Sequence, residues 1–135
     1  IWDIQHAQTP LWSGKHSKLV NSVDTPSDPT RPEFISSSRD GNINLWDTRT
    51  SGSPVITIKS HKDAQNDKTQ DPNDAWVAKF DPTNSDVVFG GYKNGNLCGF
   101  DLRNVGMFWK HQLSEGICDL EVNRNGSLLA VTPKG

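Results

Sequence analysis

A repeated block is the feature of this sequence that most constrains its fold. Residues 33–49, EFISSSRDGNINLWDTR, superimpose without a gap on residues 87–103, VVFGGYKNGNLCGFDLR. In both copies two short apolar runs flank a dipeptide that is a strong short-range signal for a β-hairpin turn, Asp40-Gly41 or Asn94-Gly95. The second run alternates apolar and polar residues, as a half-buried strand does. The sequence therefore predicts at least two copies of one hairpin unit, each closed by an aromatic residue and an aspartate.

Partial copies of the same block lie at both ends of the sequence. Residues 127–135 repeat its first half as far as Lys134-Gly135, and Trp2-Asp3 repeats its closing pair. The turn glycines are 54 and 40 residues apart, and the Trp-Asp pairs are 44 residues apart. A period of about 40–45 residues is typical of one propeller blade of four short strands. The longer spacing indicates an insertion between two blades.

The rest of the chain also favours an all-β fold. Short apolar runs bounded by turn residues, such as PVITI, WVAKF and LLAVT, alternate with Gly, Pro, Asn and Asp. Any helical apolar spacing is interrupted by Gly or Pro within a dozen residues. We therefore predict an all-β protein, a β-propeller fragment of about two and a half to three blades.

The repeat also predicts how the chain divides into blades. Residues 1–13 would end a preceding blade, and residues 14–60 would form a complete one. Residues 61–113 would form a second blade with a polar insertion at 61–74, and residues 114–135 would begin a further, truncated blade. Because a ring needs about four to eight blades, we expect the chain to be a piece of a longer propeller.

Composition excludes several classes of function. A net charge of -2 and a pI near 6.1 argue against a nucleic-acid partner, and no apolar run is long enough to span a membrane. The four histidines have no metal-ligand spacing, and the acidic insertion lacks the glycine of a calcium loop, so we expect no metal and no cofactor. The two cysteines, Cys98 and Cys118, are expected to be buried thiols.

In its first complete copy, the repeat resembles the WD repeat. In that family a histidine, a serine, an aspartate and a tryptophan form a hydrogen-bonded chain, and the matching positions here are His16, Ser36, Asp40 and Trp46. Ser, His and Asp could also be interpreted as a catalytic triad. The resemblance implies an architectural tetrad instead, so no catalytic residue is predicted.

The second and third copies depart from this tetrad. In the second, three positions change and the candidate histidine is displaced: Gly90, Asn94, Phe100 and His61. In the third, the corresponding positions are also non-matching: Glu115-Gly116, Ala130 and Lys134. We expect the second blade to be held by apolar packing and the complete tetrad to occur only in the first blade.

Several blocks, above all GYKNG…FDLRN and EGICDLEV, are similar to one group of WD-repeat propellers, the axonemal dynein assembly factors. The resemblance implies a seven-bladed ring and a non-enzymatic cytoplasmic adaptor that associates with cilia or dynein assembly sites. It also implies protein partners: the RuvB-like ATPases with their prefoldin-like co-chaperone complex, and dynein chains as clients.

An alternative function comes from a shorter motif. Trp46-Asp47-Thr48-Arg49 fits the W-D-x-R motif of WD proteins that are substrate receptors of cullin-RING ubiquitin ligases. The next copy nearly repeats it with Asp101 and Arg103. The simpler interpretation is that each arginine pairs with a neighbouring blade or faces solvent.

The face that carries the hairpin turns is the candidate partner-binding face. Arginine and aromatic residues on short loops are common interface anchors. The candidates are the residues flanking the strand ends there: Lys18, Arg39, Trp76, Tyr92 and Lys93.

Overall fold

The described residues form ten β-strands and no helix. The computed structural model describes residues 1–5, 8–60 and 73–132. The strands are β1 (Val20–Asp24), β2 (Glu33–Ser38), β3 (Asn42–Asp47), β4 (Ile56–Lys59), β5 (Ala75–Asp81), β6 (Asn84–Tyr92), β7 (Asn96–Asp101), β8 (Gly106–Gln112), β9 (Asp119–Val122) and β10 (Leu128–Val131). In the part of the chain that is described, no helix is long and apolar enough to cross a membrane.

The strands assemble into three antiparallel sheets in chain order. Strands β1-β2-β3-β4 form one sheet, which we call blade one, and β5-β6-β7-β8 form blade two. Strands β9 and β10 form a two-stranded third sheet. Each sheet is a meander of neighbouring strands, which is the architecture of a propeller blade. The predictions of an all-β fold and of propeller blades are therefore confirmed.

Glycines with positive φ close the hairpins. Gly41, Gly95 and Gly126 have φ values of 84°, 85° and 86°, a region that other residues rarely occupy. The N–H of each glycine donates to the carbonyl three residues earlier, at 2.9–3.1 Å. The side-chain oxygen of the preceding Asp or Asn accepts the N–H two residues further on, at 2.9–3.0 Å. Asp and Asn share this turn chemistry, so the turn survives where the tetrad aspartate is replaced.

The core lies between the sheets. One buried cluster joins blade one to blade two and includes Ile35, Ile43, Phe80 and Phe100. A second cluster joins blade two to the third sheet through Val77, Leu97, Ile117 and Leu120. Both faces of blade two are therefore covered, which explains why its inner strands are apolar on both sides rather than alternating.

The fold differs from the sequence predictions at the N-terminal segment and at Cys118. No strand forms within the described part of residues 1–13, although Leu11 N–H donates to the Ile1 carbonyl at 2.9 Å. An isolated two-stranded ladder is marginally stable, which accounts for the irregular pairing. Cys98 is buried as expected, but Cys118 is exposed at the start of the two-stranded sheet, so the prediction of two buried thiols is wrong.

Candidate functional site

The four predicted tetrad residues lie in one hydrogen-bonded chain. Trp46 Nε1–H donates to Ser36 Oγ at 2.7 Å, and Ser36 Oγ lies 2.7 Å from His16 Nε2. His16 Nδ1 lies 2.9 Å from Asp40 Oδ2. Because a carboxylate only accepts, the Nδ1 proton belongs to His16, and Nε2 accepts the serine proton. The hydrogen-bonded chain links two strands, β2 and β3, with the turn between them and with the segment before β1.

The burial of the tetrad residues indicates a structural role rather than a catalytic one. The side chain of His16 is 1% exposed and Ser36 is 4% exposed. The serine hydroxyl accepts a hydrogen bond from the indole and donates one to the imidazole. A hydroxyl held in this way is not presented to a substrate, so the arrangement fixes the hairpin rather than forming a nucleophile.

The Asp40 carboxylate stabilises both the hairpin turn and the tetrad. Its Oδ1 accepts Asn42 N–H at 2.9 Å and shapes the turn, while Oδ2 accepts from His16 and from Ser17 N–H at 3.1 Å. Burial acts to raise the pKa of Asp40, but the hydrogen bonds from Asn42, His16 and Ser17 outweigh it, so that the pKa lies below its ordinary value. The carboxylate is therefore ionised and fully engaged at neutral pH.

An aromatic cover over the tetrad was not predicted. The Trp12 ring contacts that of Trp46 edge-on at 5.6 Å and that of Phe34 at 5.3 Å. The Trp12 indole N–H donates to the Thr50 carbonyl at 2.9 Å. A side chain at Gly14 would bring its Cβ to 2.7 Å from the Trp46 ring. The signal in the sequence was a tryptophan four residues before His16, which the assignment of residues 1–13 to a preceding blade obscured.

Blade two replaces the polar chain with interblade packing. At Gly90, the position of Ser36, a Cβ would lie 2.5 Å from Ile43 Cδ1 of blade one. Phe100 replaces the tryptophan and is 3% exposed. Ile43 therefore packs where a serine side chain would lie, as expected for a blade held by apolar contacts. Parts of the sequence argument fall outside the described residues: His61, Lys134, Gly135 and residues 61–72 of the predicted insertion.

Side chains of β1 bond to the backbone of β5, and no sequence pattern pointed to this. Asn21 Nδ2 donates to the Ala75 carbonyl at 2.9 Å. Ser22 Oγ accepts Ala78 N–H at 3.0 Å, and Asp24 Oδ2 accepts Phe80 N–H at 2.8 Å. The innermost edge of blade two is thereby paired by its neighbour, although the two strands are not in one sheet.

The candidate partner-binding residues differ in how much of each is exposed to solvent. Lys18, Arg39 and Lys93 are exposed on the hairpin-turn face. Trp76 is half-buried, and its ring contacts Gly116, where a Cβ would lie 2.6 Å away. These four stay predicted contact residues.

Tyr92 does not belong to the exposed face. It is 2% exposed within the core that joins the two blades. Its hydroxyl finds no hydrogen-bond partner among the described residues, and burial, with a smaller contribution from Cys98, raises its pKa. Assigning it to partner binding was therefore wrong, because the residue after the two glycines of β6 points into the blade interface.

The two Asp-Arg pairs form identical local clamps on the opposite face. Arg49 Nη2 lies 2.7 Å from Asp47 Oδ2, and Arg103 Nη2 lies 2.9 Å from Asp101 Oδ2. Hydrogen bonds from each arginine lower the pKa of its aspartate. The arginine side chains are 71% and 67% exposed. Each arginine thus bonds the aspartate two residues before it rather than a neighbouring blade.

Metal-ligating side chains do not converge in the described ranges. No group of three or more His, Cys, Asp or Glu residues there could hold a metal ion. The polar clusters that do form are the tetrad, the β1–β5 bonds and the two Asp-Arg pairs. All of them are suited to holding blades or contacting another protein.

Four-stranded antiparallel sheets, with a hydrogen-bonded tetrad in the first of them, are features of WD-repeat propeller blades. Residues 8–47, which include the whole tetrad, match the family described as "WD domain, G-beta repeat". The chain is thus similar to this family over its first complete blade.

The relatives carry more specific names. Dynein axonemal assembly factor 10 of Xenopus tropicalis is 30% identical over 132 residues, covering 92% of this chain and 35% of the relative. The Chlamydomonas reinhardtii protein of the same name is 28% identical over 135 residues, again 92% of this chain and 35% of the relative. Restriction of telomere capping protein 1 of Candida tropicalis is 35% identical over 107 residues, 76% of this chain but 9% of the relative.

The chain spans about a third of the length of the dynein assembly factors that it matches. The expected similarity to axonemal dynein assembly factors is confirmed at the level of sequence relationship.

Proposed function

We propose that this chain is part of a non-enzymatic adaptor for the preassembly of axonemal dynein arms in the cytoplasm. The observation that carries the proposal is similarity along 92% of the chain to proteins named for dynein axonemal assembly, from a frog and from a green alga. A match to a single WD repeat would support only a scaffold. Similarity through the degenerate second blade and into the third sheet favours the narrower role.

The geometry supports an adaptor because its polar groups serve binding rather than chemistry. The tetrad and the β1–β5 bonds fix the blades, so the turns between strands are carried on a rigid frame. Rigid loops reduce the entropy lost on binding, which favours stable contacts with large partners. In this proposal RuvB-like ATPases, their prefoldin-like co-chaperone subunits and dynein chains are the partners.

Affinity purification tests the proposal. The tagged full-length protein would be isolated from cells that are building motile cilia, and the co-purifying proteins would be identified by mass spectrometry. We expect RuvB-like ATPases, prefoldin-like subunits and dynein heavy chains. Recovery of none of these three groups, with the protein folded and abundant, would contradict the proposal.

A second candidate is a substrate receptor of a cullin-RING ligase. The observation that favours it is the pair of exposed arginines, Arg49 and Arg103, in matching clamps on neighbouring blades. A ligase adaptor would have to bind these guanidinium groups while each still donates to its aspartate. Replacing both with glutamate should abolish adaptor binding, and the ligase function is excluded if the adaptor still co-purifies.

A further inference from the structure

Three exposed cations lie along the hairpin-turn face of blades one and two. We call Lys18, Arg39 and Lys93 the cationic ridge. All three side chains belong to exposed residues, and the Arg39 side chain is 56% exposed. They come from three separate loops, so their proximity is a product of the fold and not of one basic run.

Short contacts make the ridge continuous. Arg39 N–H donates to the Leu19 carbonyl at 2.9 Å, and Ser38 Oγ donates to the Lys18 carbonyl at 3.3 Å. On the other side, Lys93 N–H donates to the Asp74 carbonyl at 3.0 Å, while the Asp74 carboxylate lies 3.9 Å from Arg39 Nε. Asp74 therefore joins the turn of blade one to the turn of blade two.

The two faces of the molecule differ in charge. Beside the hairpin turns of blades one and two, cations outnumber accessible carboxylates among the described residues: Lys15, Lys18, Arg39, Lys59 and Lys93 against Asp74 and Glu115. Asp40 is also there, but its carboxylate is buried and engaged by His16. On the opposite face accessible carboxylates outnumber arginines among the described residues: Asp28, Glu33, Asp81, Asp86 and Asp101 against Arg31, Arg49 and Arg103, with the buried Asp47 left out in the same way. This polarity exists although the net charge is only -2.

We propose that the cationic ridge binds an acidic, extended segment of a partner protein. The proposal rests on the adaptor function proposed above and names the chemistry of one partner. Complementary charge at an exposed rim guides association and orientation, which suits a scaffold that must bring large partners together. Asp74 would compete with the incoming carboxylates for Arg39.

Protein carboxylates suit the ridge better than nucleic acid does. Binding of single strands relies on aromatic side chains on which bases stack. Here the two nearby aromatic residues are Trp76, which is half-buried against Gly116, and Tyr92, which is buried. Because the chain has a net charge of -2, a nucleic acid that extends beyond the cationic ridge would also be repelled by the rest of the surface.

Fluorescence anisotropy tests the proposal directly. The probe is a labelled twelve-residue peptide rich in glutamate, and its comparison is the same peptide with glutamine. We expect the full chain to bind the glutamate peptide and not the glutamine peptide, with affinity falling as salt is added. Arg39→Glu with Lys93→Glu should weaken binding by about tenfold or more.

Two further variants make the test specific to this face. Arg49→Glu with Arg103→Glu reverses the same number of charges on the opposite face and should change affinity by less than about twofold. Asp74→Asn removes the competing carboxylate and should strengthen binding by about two- to fivefold.

Three outcomes would overturn the proposal: no binding of the glutamate peptide, equal weakening by both double variants, or equal binding of a single-stranded RNA of the same charge. The adaptor function is judged separately from the co-purified proteins. If the Arg39→Glu, Lys93→Glu variant no longer co-purifies with the assembly partners but the glutamate peptide does not bind, then the hairpin-turn face binds a partner. In that case the proposal that the bound segment is acidic is wrong. If the peptide binds but no assembly partner is recovered, the proposed function fails and the ridge stands.

Discussion

At the scale of single residues, Ser36 joins the two halves of the tetrad. Its oxygen hydrogen-bonds both the Trp46 indole and the His16 imidazole, and all three groups are buried. A buried donor or acceptor that loses its partner costs more than a hydrogen bond gains. Removing this one oxygen therefore leaves two buried polar groups unsatisfied.

We predict that Ser36→Ala destabilises the protein by about 1–3 kcal/mol, because an indole N–H and an imidazole nitrogen lose their partner in a buried site. Urea unfolding monitored by tryptophan fluorescence measures the change. Ser51→Ala, at an exposed serine, is the matched control and should shift the unfolding free energy by less than about 0.5 kcal/mol. Equal effects of the two substitutions would show that the tetrad does not stabilise the blade.

The lowered pKa of Asp40 determines how this carboxylate contributes to the free energy of unfolding as the pH changes. Its pKa in the folded protein lies below its ordinary value, despite burial, because Asn42, His16 and Ser17 donate to the carboxylate. Such a group contributes stability that is complete above the unfolded-state pKa of about 3.9 and is lost as the pH falls through the folded-state pKa. We expect the unfolding free energy to decline below about pH 4, and less steeply in Asp40→Asn. Urea titrations across that range test it; equal slopes would contradict the prediction.

A side chain at position 90 is predicted to clash with blade one. In Gly90→Ala the new Cβ would lie 2.5 Å from Ile43 Cδ1, so overpacking should cost about 1–3 kcal/mol. Ile43→Val removes that methyl group and should cost about 0.5–1.5 kcal/mol alone. The double variant should be more stable than the sum of the two changes implies. Additive unfolding free energies would show that the two positions do not compete for space.

At the scale of elements, β1 has a role beyond its own sheet. Its Ser22 and Asp24 side chains accept backbone N–H groups of β5 at 3.0 and 2.8 Å. An edge strand with unsatisfied N–H groups can pair with another chain. These bonds therefore orient blade two against blade one and protect its inner edge.

We predict that Asp24→Ala loosens this junction, because Phe80 N–H loses its acceptor. The expected cost is about 1–3 kcal/mol, and the amide of Phe80 should exchange with solvent faster. Hydrogen exchange followed by NMR would measure it. In Asp28→Ala, which removes a carboxylate bonded within its own loop to Thr30, Phe80 should keep its protection. Unchanged exchange at Phe80 in Asp24→Ala would contradict the prediction.

At the scale of the whole molecule, stability comes from faces between sheets rather than from each sheet alone. Ile35 and Ile117 are both fully buried, but Ile35 lies in the cluster between blades one and two. Ile117 lies in the cluster between blade two and the third sheet. In such stacked architectures each unit is stabilised mainly by its neighbours.

We predict that Ile35→Ala and Ile117→Ala each cost about 2–5 kcal/mol but loosen different parts of the molecule. Ile35→Ala should reduce hydrogen-exchange protection in blades one and two together. Ile117→Ala should affect β9, β10 and the facing side of blade two, leaving β2 and β3 protected. Loss of protection across all sheets in both variants would show a single cooperative core instead.

Local chemistry explains what could be predicted from the sequence. Asp40-Gly41 and Asn94-Gly95 specify hairpin turns through one positive φ and one side-chain hydrogen bond, both within four residues. The alternation of β3 and the spacing of the Trp-Asp pairs then gave the strand order and the blade repeat. The tetrad residues could be chosen because their positions relative to these turns follow the repeat.

The remaining features could not be predicted, because blades pack through residues that are distant in sequence. Tyr92 is buried, and Gly90 receives Ile43, since two twisted sheets meet there. Asp24 bonds Phe80 across 56 residues of chain, and no periodicity within either strand encodes that contact. Local sequence specifies the turns, the strands and their repeat, because each depends on residues close together in the chain. The tertiary structure determined which surfaces remain exposed, because exposure depends on how one sheet covers the next.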